Sequence, residues 1–590
     1  MAKVQKLDSN ETQLFYTDER TIGRPRNDNS VANARIRWGG PVATAGPQEW
    51  FQMGVNSYPD FGGENPLLQS EEIRADRQAS KPNISGVTAS GAVNADAKST
   101  NLQRLMQSFF FANMRELHST RPYNTDLRAT GADNKKTSLD IVSVGAGGAT
   151  GTVYTLSGPS NGRFVANDIV LVTGCTNAIN NGHAFVGSST GNTVTLSSKS
   201  TAVGGYRPGV VETLTPAARL VAKIEICGKV FADLKIAIAS GKTSIQSAAV
   251  DMTDLGLSIG QWIFVGADTT GEGFPTAENN FWGRISELSA NDIFFDRTVS
   301  VETDDDGEYK PITAVSTASY VTVWFGPLVR NERPNDPDFP IVRRSFTFER
   351  RLGRKDDADN FEQAEYVHGA VANELTLNIS SQDKINADLA FVAVADSVKE
   401  GGAAGDGPIS LDKPANVAAI RLIEEPSEPF YNTSTDVFDL FLYPPGSAQV
   451  PAKLFAFVQD ATFTINNNIT PNNAVAYKGA FDVTSGQFTV GGAITAYFNS
   501  VEGKQAISNN DTIGFAMLCS KGLSEDSGGG GMFIDIPQLS LGGGKLAVAL
   551  NEPITIPLDM QAFRNDQGYT AMIGWFPVLP NVSRRVRSLV

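Results

Sequence analysis

Residues 85–95 read SGVTASGAVNA, and residues 485–496 read SGQFTVGGAITA. Both stretches alternate apolar residues with small or polar ones, as a β-strand does when only one of its faces packs on a core. The second copy carries one extra residue, and each copy continues to a serine, Ser99 or Ser500. Self-similarity of this kind indicates two copies of one β module in a single chain.

A second pair of similar segments follows these stretches. Each consists of two alternating segments joined by a short polar turn, which predicts a β-hairpin. The predicted hairpins are Leu375–Ile379 with Ile385–Phe391, and Leu546–Leu550 with Ile554–Met560. One face of each hairpin is expected to pack on its domain while the other remains open. Asp388 and Asp559 are predicted to occupy matching places on the two hairpins.

The first copy is interrupted, because residues 118–340 lie between its two halves. That segment is rich in Gly, Thr, Ser and Asn with short apolar runs, which predicts one or two inserted small β-barrels or sandwiches. Its runs Ile169–Val172 and Trp262–Val265 have similar surroundings, which indicates two small barrels of one type. The predicted division is an N-terminal arm at 1–65, a first domain at 66–117 and 341–397, inserted β domains at 118–340, a linker at 398–413, a second domain at 414–577 and a basic tail at 578–590.

A helix is predicted directly after the first repeated stretch. Thr100 is its predicted N-cap, and the apolar side chains that follow fall on one helical face. These side chains are Leu102, Leu105, Met106, Phe109 and Phe110. The predicted fold class is therefore mainly β, with two β-sandwich or barrel domains that each carry a flanking helix, plus the inserted domain or domains.

The composition excludes several classes of protein. The chain has 590 residues, of which 41% are hydrophobic, so it can build several packed cores and wholesale disorder is excluded. No apolar run approaches the roughly 18–20 residues of a membrane helix, and the start of the chain has no apolar signal core. Three cysteines and three histidines give poor support to a disulfide scaffold, a metalloenzyme or a His-based hydrolase. The net charge of −15 argues against static nucleic-acid binding, since phosphate contacts need basic side chains.

Several short strings resemble catalytic or ligand-binding motifs. Residues 158–162 (GPSNG) and 187–191 (GSSTG) match the nucleophile-elbow pattern, but neither opens a helical segment, so both are predicted to be turns. Residues 241–243 (GKT) resemble the end of a phosphate loop, but Ile236 stands where its first glycine is needed. The acidic run at 302–308 resembles a calcium loop that lacks its closing glutamate.

Two further features fall short of a site. Cys175 and His183 are close in sequence, but two residues do not make a zinc site. The tail arginines Arg584, Arg585 and Arg587 are expected to pair with acidic groups on an adjoining subunit or to stay solvated. No catalytic, cofactor-binding or metal-binding residue is therefore predicted, and the protein is not expected to be an enzyme.

The repeated segments resemble the tail tube proteins of bacteriophages with long, non-contractile tails. The resemblance covers residues 66–117 and 341–577, and the duplication fits the variant in which two tube domains share one chain. The segments that carry it are residues 70–78 (SEEIRADRQ), the 86–97 hairpin, the 100–117 helix, Ser345–Glu349, the 373–394 hairpin, Phe488–Phe498, the 546–563 hairpin and Tyr569–Ile573. Residues 118–340 depart from a minimal tube protein and form a large insertion.

The resemblance implies a structural virion protein. Hairpins of neighbouring domains would join into one β-barrel around a channel, and rings of three chains with six-fold pseudo-symmetry would stack into a tube. The genome would pass down this tube into the host without being bound specifically. Implied partners are further copies of the chain, the tape measure protein, and the tail terminator and tip proteins; no membrane and no cofactor is implied. The protein would be made in the host cytoplasm and reside in the virion.

The charge balance is compatible with that role. An acidic lumen repels the DNA backbone and leaves the DNA free to slide, and a net charge of −15 permits such a lining. The insertion is expected to project from the outer wall, since it could not fit inside an open channel. An alternative is another virion protein, a tail decoration or receptor-binding protein, which would remain a compact oligomer instead of forming rings or rods.

Overall fold

The fold is described from a computed structural model of the chain. Strands account for 55% of it and helices for 7%, which confirms the mainly β fold class. The structure describes residues 12–21, 24–25, 48–73, 75–76, 78–115, 140–160, 163–198, 209–215, 222–268, 271–303, 309–333, 341–354, 362–399, 420–425, 428–443, 458–498, 501–522 and 530–584.

The elements follow one another in three groups. The first group is β1 (Gln13–Thr21), β2 (Arg24–Pro25), β3 (Gln48–Met53), β4 (Ser57–Glu64), β5 (Leu67–Leu68), β6 (Asn83–Ile84), β7 (Thr88–Asp96) and helix α1 (Ser99–Phe109). The second group is β8 (Ile141–Val144), β9 (Thr152–Leu156), β10 (Asp168–Thr173), β11 (Gly182–Thr190), β12 (Thr193–Ser197), β13 (Glu212–Thr213), β14 (Lys223–Ala239), β15 (Lys242–Gln246), β16 (Trp262–Val265), β17 (Phe281–Leu288), β18 (Asp292–Phe295), β19 (Val299–Thr303), β20 (Tyr309–Pro311), β21 (Val315–Trp324) and β22 (Leu328–Arg330). The third group is β23 (Ser345–Arg354), β24 (Glu362–Ser380), β25 (Asn386–Ala393), β26 (Ala395–Lys399), β27 (Ile420–Ile423), β28 (Val437–Tyr443), β29 (Val458–Asn466), β30 (Thr470–Asn472), β31 (Asp482–Thr484), β32 (Thr489–Tyr497), helix α2 (Val501–Asn509), β33 (Ile513–Ser520), β34 (Gly531–Gly543), β35 (Thr555–Ala562) and β36 (Met572–Phe576). Short 3-10 turns lie at Ala178–Asn180, Met252–Leu255, Ala277–Asn279 and Asn581–Ser583.

Two large sheets organise these strands. An 18-stranded sheet contains β1 to β4, β7, β22 to β29 and β32 to β36. A 12-stranded sheet contains β8 to β18 and β21, all of which lie within residues 118–340. The chain therefore leaves the larger sheet after α1, builds a separate sheet, and returns at β22.

Strand pairing repeats between the two ends of the larger sheet. We call the unit around α1 the first module and the unit around α2 the second module. The corresponding antiparallel pairings are β4–β7 and β29–β32, β7–β25 and β32–β35, β1–β23 and β28–β33, β23–β24 and β33–β34, β24–β25 and β34–β35, and β24–β26 and β34–β36. Gly91 lies opposite Phe61 in the first module, and Gly492 lies opposite Phe463 in the second. The regions around the two glycines thus share one topology, as the repeated stretches predict.

Helix α1 packs on the first module through the predicted face. The buried apolar side chains of the helix and its C-cap are Leu102, Leu105, Met106, Phe109 and Phe110, and the polar residues Asn101, Gln103, Gln107 and Ser108 are buried as well. Burying a large apolar side chain stabilises a fold by about 1.5–3 kcal/mol, so this face fixes the helix on the sheet. The N-cap is Lys98 rather than Thr100, and the Lys98 backbone N–H donates to Asn101 Oδ1 at 3.2 Å. The helix ends at Phe109 rather than near residue 117, because Phe111 has a left-handed φ of 48°.

The two modules are joined by strand pairing inside the chain. β24 of the first module pairs with β29 of the second, with Glu374 opposite Asn466 and Ser380 opposite Asp460. One continuous antiparallel layer results, in the order β4–β7–β25–β24–β29–β32–β35–β34, and we call it the central layer. The N-terminal halves of β24 and β34 pair instead with β23, β26, β33 and β36, which form an outer layer on the other side of the main core.

The insertion contains a closed barrel and a repeated local structure. Strands β14, β15, β18, β17, β16 and β21 close into a six-stranded barrel. After β10, the Asn181 side chain bonds to the backbone N–H and C=O of Cys175 at 2.8 and 3.0 Å. After β16, Asn280 bonds to the N–H and C=O of Phe274 at 3.0 and 3.0 Å. The same contact follows both strands, but the described strand pairings close one barrel rather than the two of one type that the sequence predicts, because β8 to β13 extend the same sheet through the pairing of β10 with β14.

The insertion packs on the outer layer of the second module. Trp282 of β17 contacts Phe438 of β28 and Phe576 of β36, with ring centroids 6.0 and 5.2 Å apart. Beside them, Arg284 forms a two-pronged ion pair with Asp535 of β34, at 2.9 Å from Nε to Oδ1 and 3.0 Å from Nη2 to Oδ2. The insertion therefore lies on the face of the outer layer that points away from the main core.

The interpretation of residues 1–65 as an arm is wrong for the strands that they contain. β1 lies between β23 and β3 in the 18-stranded sheet, and β4 is the last strand of the central layer. Leu14, Phe15, Tyr16 and Trp50 are all buried within this chain. A strand that is covered on both faces has no alternation to reveal it, which is why the sequence pattern of β1 is weak.

The second predicted hairpin is only half correct. β35 forms as predicted, but Leu546–Leu550 is not a strand and touches β35 through a single bridge between Ala547 and Thr555. The other arm of the hairpin is the end of β34, which stops at Gly543 and Gly544 because both have positive φ, 78° and 82°.

The predicted match of Asp388 with Asp559 is also wrong in register. Pairing with β7 and β32 makes Leu389 equivalent to Leu558, so Pro557 occupies the place of Asp388. Asp559 lies two residues further along the same face. Of the predicted linker at 398–413, only residues 398–399 are described, and they end β26; the predicted tail is described only as far as Arg584.

Candidate functional site

The central layer has one buried face. Alternate residues of its strands point into the main core, and those that are at most 1% exposed include Val93, Leu375, Leu377, Leu389, Phe463, Ile494 and Leu558. They come from both modules, so one core stabilises the layer across the β24–β29 joint. The opposite face of the layer is consequently held rigidly in register.

The opposite face is open, polar and acidic. Its acidic positions are Asp60, Glu64, Asp96, Glu374, Asp388, Asp460 and Asp559. The remaining outward positions are mainly Ser, Thr, Asn, Gly and Ala, and no Lys or Arg occupies an outward position on these strands, all of which the structure describes. A surface of this composition repels a phosphate backbone, and its outward strand positions offer no cation to bind.

Asparagine side chains hold the carboxylates of this face in place. Asp388 accepts hydrogen bonds from the amides of Asn94 and Asn378, at 2.6 and 2.8 Å. Glu374 accepts one from Asn466 at 2.7 Å, across the β24–β29 joint. Because amides are neutral, these contacts fix the carboxylates without cancelling their negative charge.

Asp96 is the exception, because a lysine reaches it. Burial alone would raise the pKa of Asp96, but hydrogen bonds from Lys384 at 2.7 Å and from Asn56 at 2.6 Å outweigh burial and hold this pKa below its ordinary value. Lys384 comes from the turn between β24 and β25, not from an outward strand position. The carboxylate therefore remains ionised at neutral pH.

The central layer ends in two free edges. Within the described part of the chain, β4 pairs with β7 alone, and residues 540–543 of β34 pair with β35 alone. In the first module, the segment of β24 that is equivalent to the end of β34 pairs with β29. An unpaired strand edge presents free N–H and C=O groups that can pair with another chain.

The strings that resemble catalytic motifs serve structural roles. Ser160 of the GPSNG string is fully buried, and its hydroxyl lies 3.0 Å from the Gly191 carbonyl oxygen and 2.7 Å from the Ser189 hydroxyl, so the two strings contact each other. Gly241 and Ser240 have left-handed φ values and form the tight turn between β14 and β15. Thus neither type of string has the strand–turn–helix context that its chemistry requires.

The features that resemble ligand sets in the sequence are placed as follows. Cys175 follows β10, and His183 lies on β11 opposite Leu171. The acidic run at 302–308 is described only up to Thr303, which ends β19. Cys227 is fully buried, and burial raises its thiol pKa well above the ordinary value, so the thiol is unreactive. Among the residues that the structure describes, no group of three or more His, Cys, Asp or Glu side chains could hold a metal ion.

Sequence reasoning missed the feature that joins the modules. Residues 460–466 (DATFTIN) alternate as clearly as the two repeated stretches, but nothing in them names β24 as their partner. The signal that was available is the asparagine-rich polar face, since Asn94, Asn378 and Asn466 all lie on outward positions.

Comparison with known proteins agrees with this architecture. None of the described helices combines the length and apolarity needed to cross a membrane. No curated protein matches the sequence. The family model described as phage tail tube protein matches residues 9–562, which is nearly the whole chain. The match includes β1, the first module, the insertion and the second module as far as the end of β35, so the chain belongs to the phage tail tube protein family.

Proposed function

We propose that this protein forms the stacked rings of a phage tail tube and that the rings conduct the genome into the host cell. Family membership already gives the protein a structural role in the phage tail. The observation that carries the finer proposal is the central layer, which runs through both modules and ends in a free edge on each side. A sheet with two free edges completes its hydrogen bonding when copies join in a closed ring.

The proposed ring contains three chains. Each chain supplies two equivalent modules that meet at the β24–β29 joint, so a ring of three chains has six modules. Three joints lie within chains, and three would lie between the end of β34 in one copy and β4 in the next. Because the modules share one topology, the six joints can be nearly equivalent and the ring can close with six-fold pseudo-symmetry.

The open face of the central layer is the proposed lining of the channel. Its carboxylates would repel DNA phosphates, so DNA could slide through without specific binding. The insertion supports this orientation, because it packs on the opposite side of the second module and would project from the outer wall. We also propose that the tape measure protein, the tail terminator and the tip proteins are its further partners, and that the protein is made in the host cytoplasm.

Negative-stain electron microscopy of the purified protein tests this proposal. We expect rings or hollow rods whose end views show six inner lobes and three outer projections, one for each insertion. A compact oligomer that binds cells and forms neither rings nor rods would favour a decoration or receptor-binding protein instead. Rings with six outer projections would contradict the proposed ring of three chains.

A further inference from the structure

The second module carries a hairpin that packs against the first module. Residues 467–486, which contain β30 and β31, connect β29 to β32. Ile469 and Val483 of this hairpin form an apolar cluster with Val371 and Val394 of the first module, and all four are at most 8% exposed. The hairpin thus adds an apolar contact to the strand pairing at the β24–β29 joint.

The same hairpin also bonds to the first module through its backbone. The Lys478 carbonyl oxygen accepts a hydrogen bond of 2.7 Å from the N–H of Val87, the residue before β7. Asn467, at the base of the hairpin, is 1% exposed, and its amide donates to the carbonyl oxygens of Phe109 and Ala372 at 2.9 and 3.1 Å. The joint within the chain is therefore held by hydrogen bonds to backbone carbonyl groups as well as by apolar packing.

The first module has an equivalent hairpin whose apolar residues are exposed rather than packed on a neighbouring module. Residues 65–87 connect β4 to β7 and contain β5 and β6. The N–H of Ser85 donates to the Pro66 carbonyl oxygen at 2.9 Å, just as Gly486 donates to Asn468 at 3.1 Å in the second module. In this alignment Leu67 takes the place of Ile469, but it is 65% exposed where Ile469 is 8% exposed.

The second module also has the matching receiving surface. In the first module, Val394 follows β25 and its N–H donates to the His368 carbonyl oxygen at 3.0 Å. In the second module, Phe563 follows β35 and its N–H donates to the Gln538 carbonyl oxygen at 3.0 Å. Phe563 is 40% exposed, whereas its counterpart Val394 is 7% exposed.

These apolar surfaces cannot meet within one chain. The hairpin lies at the β4–β7 end of the central layer, and Phe563 lies at the β35–β34 end. Five strand-to-strand steps separate β7 from β35, which at ~4.8 Å per step is about 24 Å. Contact between the two surfaces would therefore require a second copy of the chain.

We propose that the 65–87 hairpin docks on the surface around Phe563 of a second copy of the chain and reproduces there the contact that the 467–486 hairpin makes within the chain. This inference rests on the proposed ring assembly and specifies its interface between chains. Leu67 would pack against Phe563 of the neighbouring copy, as Ile469 packs in the cluster with Val394. The exposed apolar residues at the two ends of the central layer are thereby explained as the two halves of one contact.

Thiol cross-linking in assembled material tests the contact. The double variant Leu67→Cys, Phe563→Cys should give covalent dimers and trimers with a short bismaleimide. The three native cysteines are buried and should leave the background low. The matched control, Val87→Cys with Lys478→Cys, uses two accessible positions across the joint within one chain, where the Val87 N–H lies 2.7 Å from the Lys478 carbonyl oxygen, and its cross-linked product should remain a single chain.

The outcomes separate this inference from the proposed function. If rods form and the control pair reacts, but the test pair yields no dimer, the docking contact is wrong while the tube remains. If the protein forms neither rings nor rods, both proposals fail. Co-assembly of the two single variants should give dimers and no larger species, because each interface then needs one thiol from each type of chain.

A polar substitution tests the contact without cysteine chemistry. Leu67→Asp should raise the protein concentration needed for assembly on the order of tenfold or more, since it removes a buried apolar contact. Ile73→Asp is the control, because the equivalent Val475 stays 97% exposed even though the neighbouring module is present. Equal effects of the two substitutions would overturn the proposed docking.

Discussion

The ion pair between the insertion and the second module gives a sharp test of the packing. Asp535 is fully buried and accepts bonds from Arg284 at 2.9 and 3.0 Å and from the Trp262 indole N–H at 3.1 Å. The Tyr443 and Tyr569 hydroxyls also contact it, at 3.3 and 3.5 Å. Burial alone would lower the pKa of Arg284, but the carboxylate outweighs burial and raises it. Each of the two buried charges is therefore stabilised by the presence of the other.

Substituting either partner of this ion pair should lower the free energy of unfolding, but by different amounts. Arg284→Met leaves the Asp535 carboxylate buried with only neutral donors, and breaking a buried pair in this way costs about 3–5 kcal/mol. Asp535→Asn keeps an amide oxygen for the same donors, and Arg284 retains Asp296 at 3.7 Å and is 12% exposed. Its cost should be nearer the ~1–3 kcal/mol of an imperfectly satisfied polar group. The double variant should lower the free energy of unfolding by less than the sum of the two single variants.

Urea unfolding monitored by tryptophan fluorescence measures these costs, because Trp262 and Trp282 are both buried at this interface. Lys242→Met is the control: its partner Glu287 is 3.6 Å away, and the two side chains are 51% and 59% exposed, so the change should stay below about 1 kcal/mol. The reasoning is refuted if Asp535→Asn costs as much as Arg284→Met, or if Lys242→Met costs as much as either.

Three further predictions concern the central layer. Rods assembled from Asp388→Lys should retain DNA in a gel-shift assay at low salt, and this retention should be lost as the salt concentration rises. Rods of the control Asp254→Lys, which changes a residue of the insertion, should retain no DNA. Equal retention by the two variants would contradict the channel assignment. The pKa of Asp96 in the folded state lies below its ordinary 3.8, so the ionised carboxylate stabilises the fold above that pH, and this stabilisation is lost as the pH falls through the lower folded-state value. The difference in Tm between wild type and Asp96→Asn should therefore shrink from about pH 6 to about pH 3. A difference in Tm that stays constant over this range would contradict the assignment. Gly492→Ala should lower the Tm, because φ is 150° and a Cβ would overlap a carbonyl oxygen of β29; Gly91→Ala should be milder, since its Cβ would meet side chains at 3.7 Å, and the reverse order in Tm would refute this account.

Much of the architecture could be predicted from local pattern. The alternation in β7, β25 and β32 places one face of each strand on a core, and the spacing of Leu102, Leu105 and Phe109 does the same for α1. These predictions were confirmed because the apolar residues of a strand or helix with one buried face recur at the period of that element, so the local sequence indicates which face is buried.

Other predictions failed where the local pattern was silent. β1 is buried on both faces and shows no alternation, so its segment resembled an arm. The end of β34 is rich in glycine, so the apolar segment at 546–550 looked like the better hairpin arm although the chain bends away at Gly543 and Gly544. The local pattern therefore matches Asp559 with Asp388, because it predicts residues 546–550, and not the end of β34, as the other arm of the hairpin.

The sequence by itself determined that two copies of one β module exist, that a separate β unit interrupts the first, and that no constellation of catalytic residues is apparent. Only the tertiary structure decided that β24 pairs with β29, that the acidic residues share one open face, and that the insertion sits on the opposite side. The physical reason is that alternation is a property of a few neighbouring residues, whereas a strand's partner is chosen among all available edges. That choice depends on the packing of the complete core, and within the described part of the chain it leaves β4 and the end of β34 each with one edge that pairs with no strand.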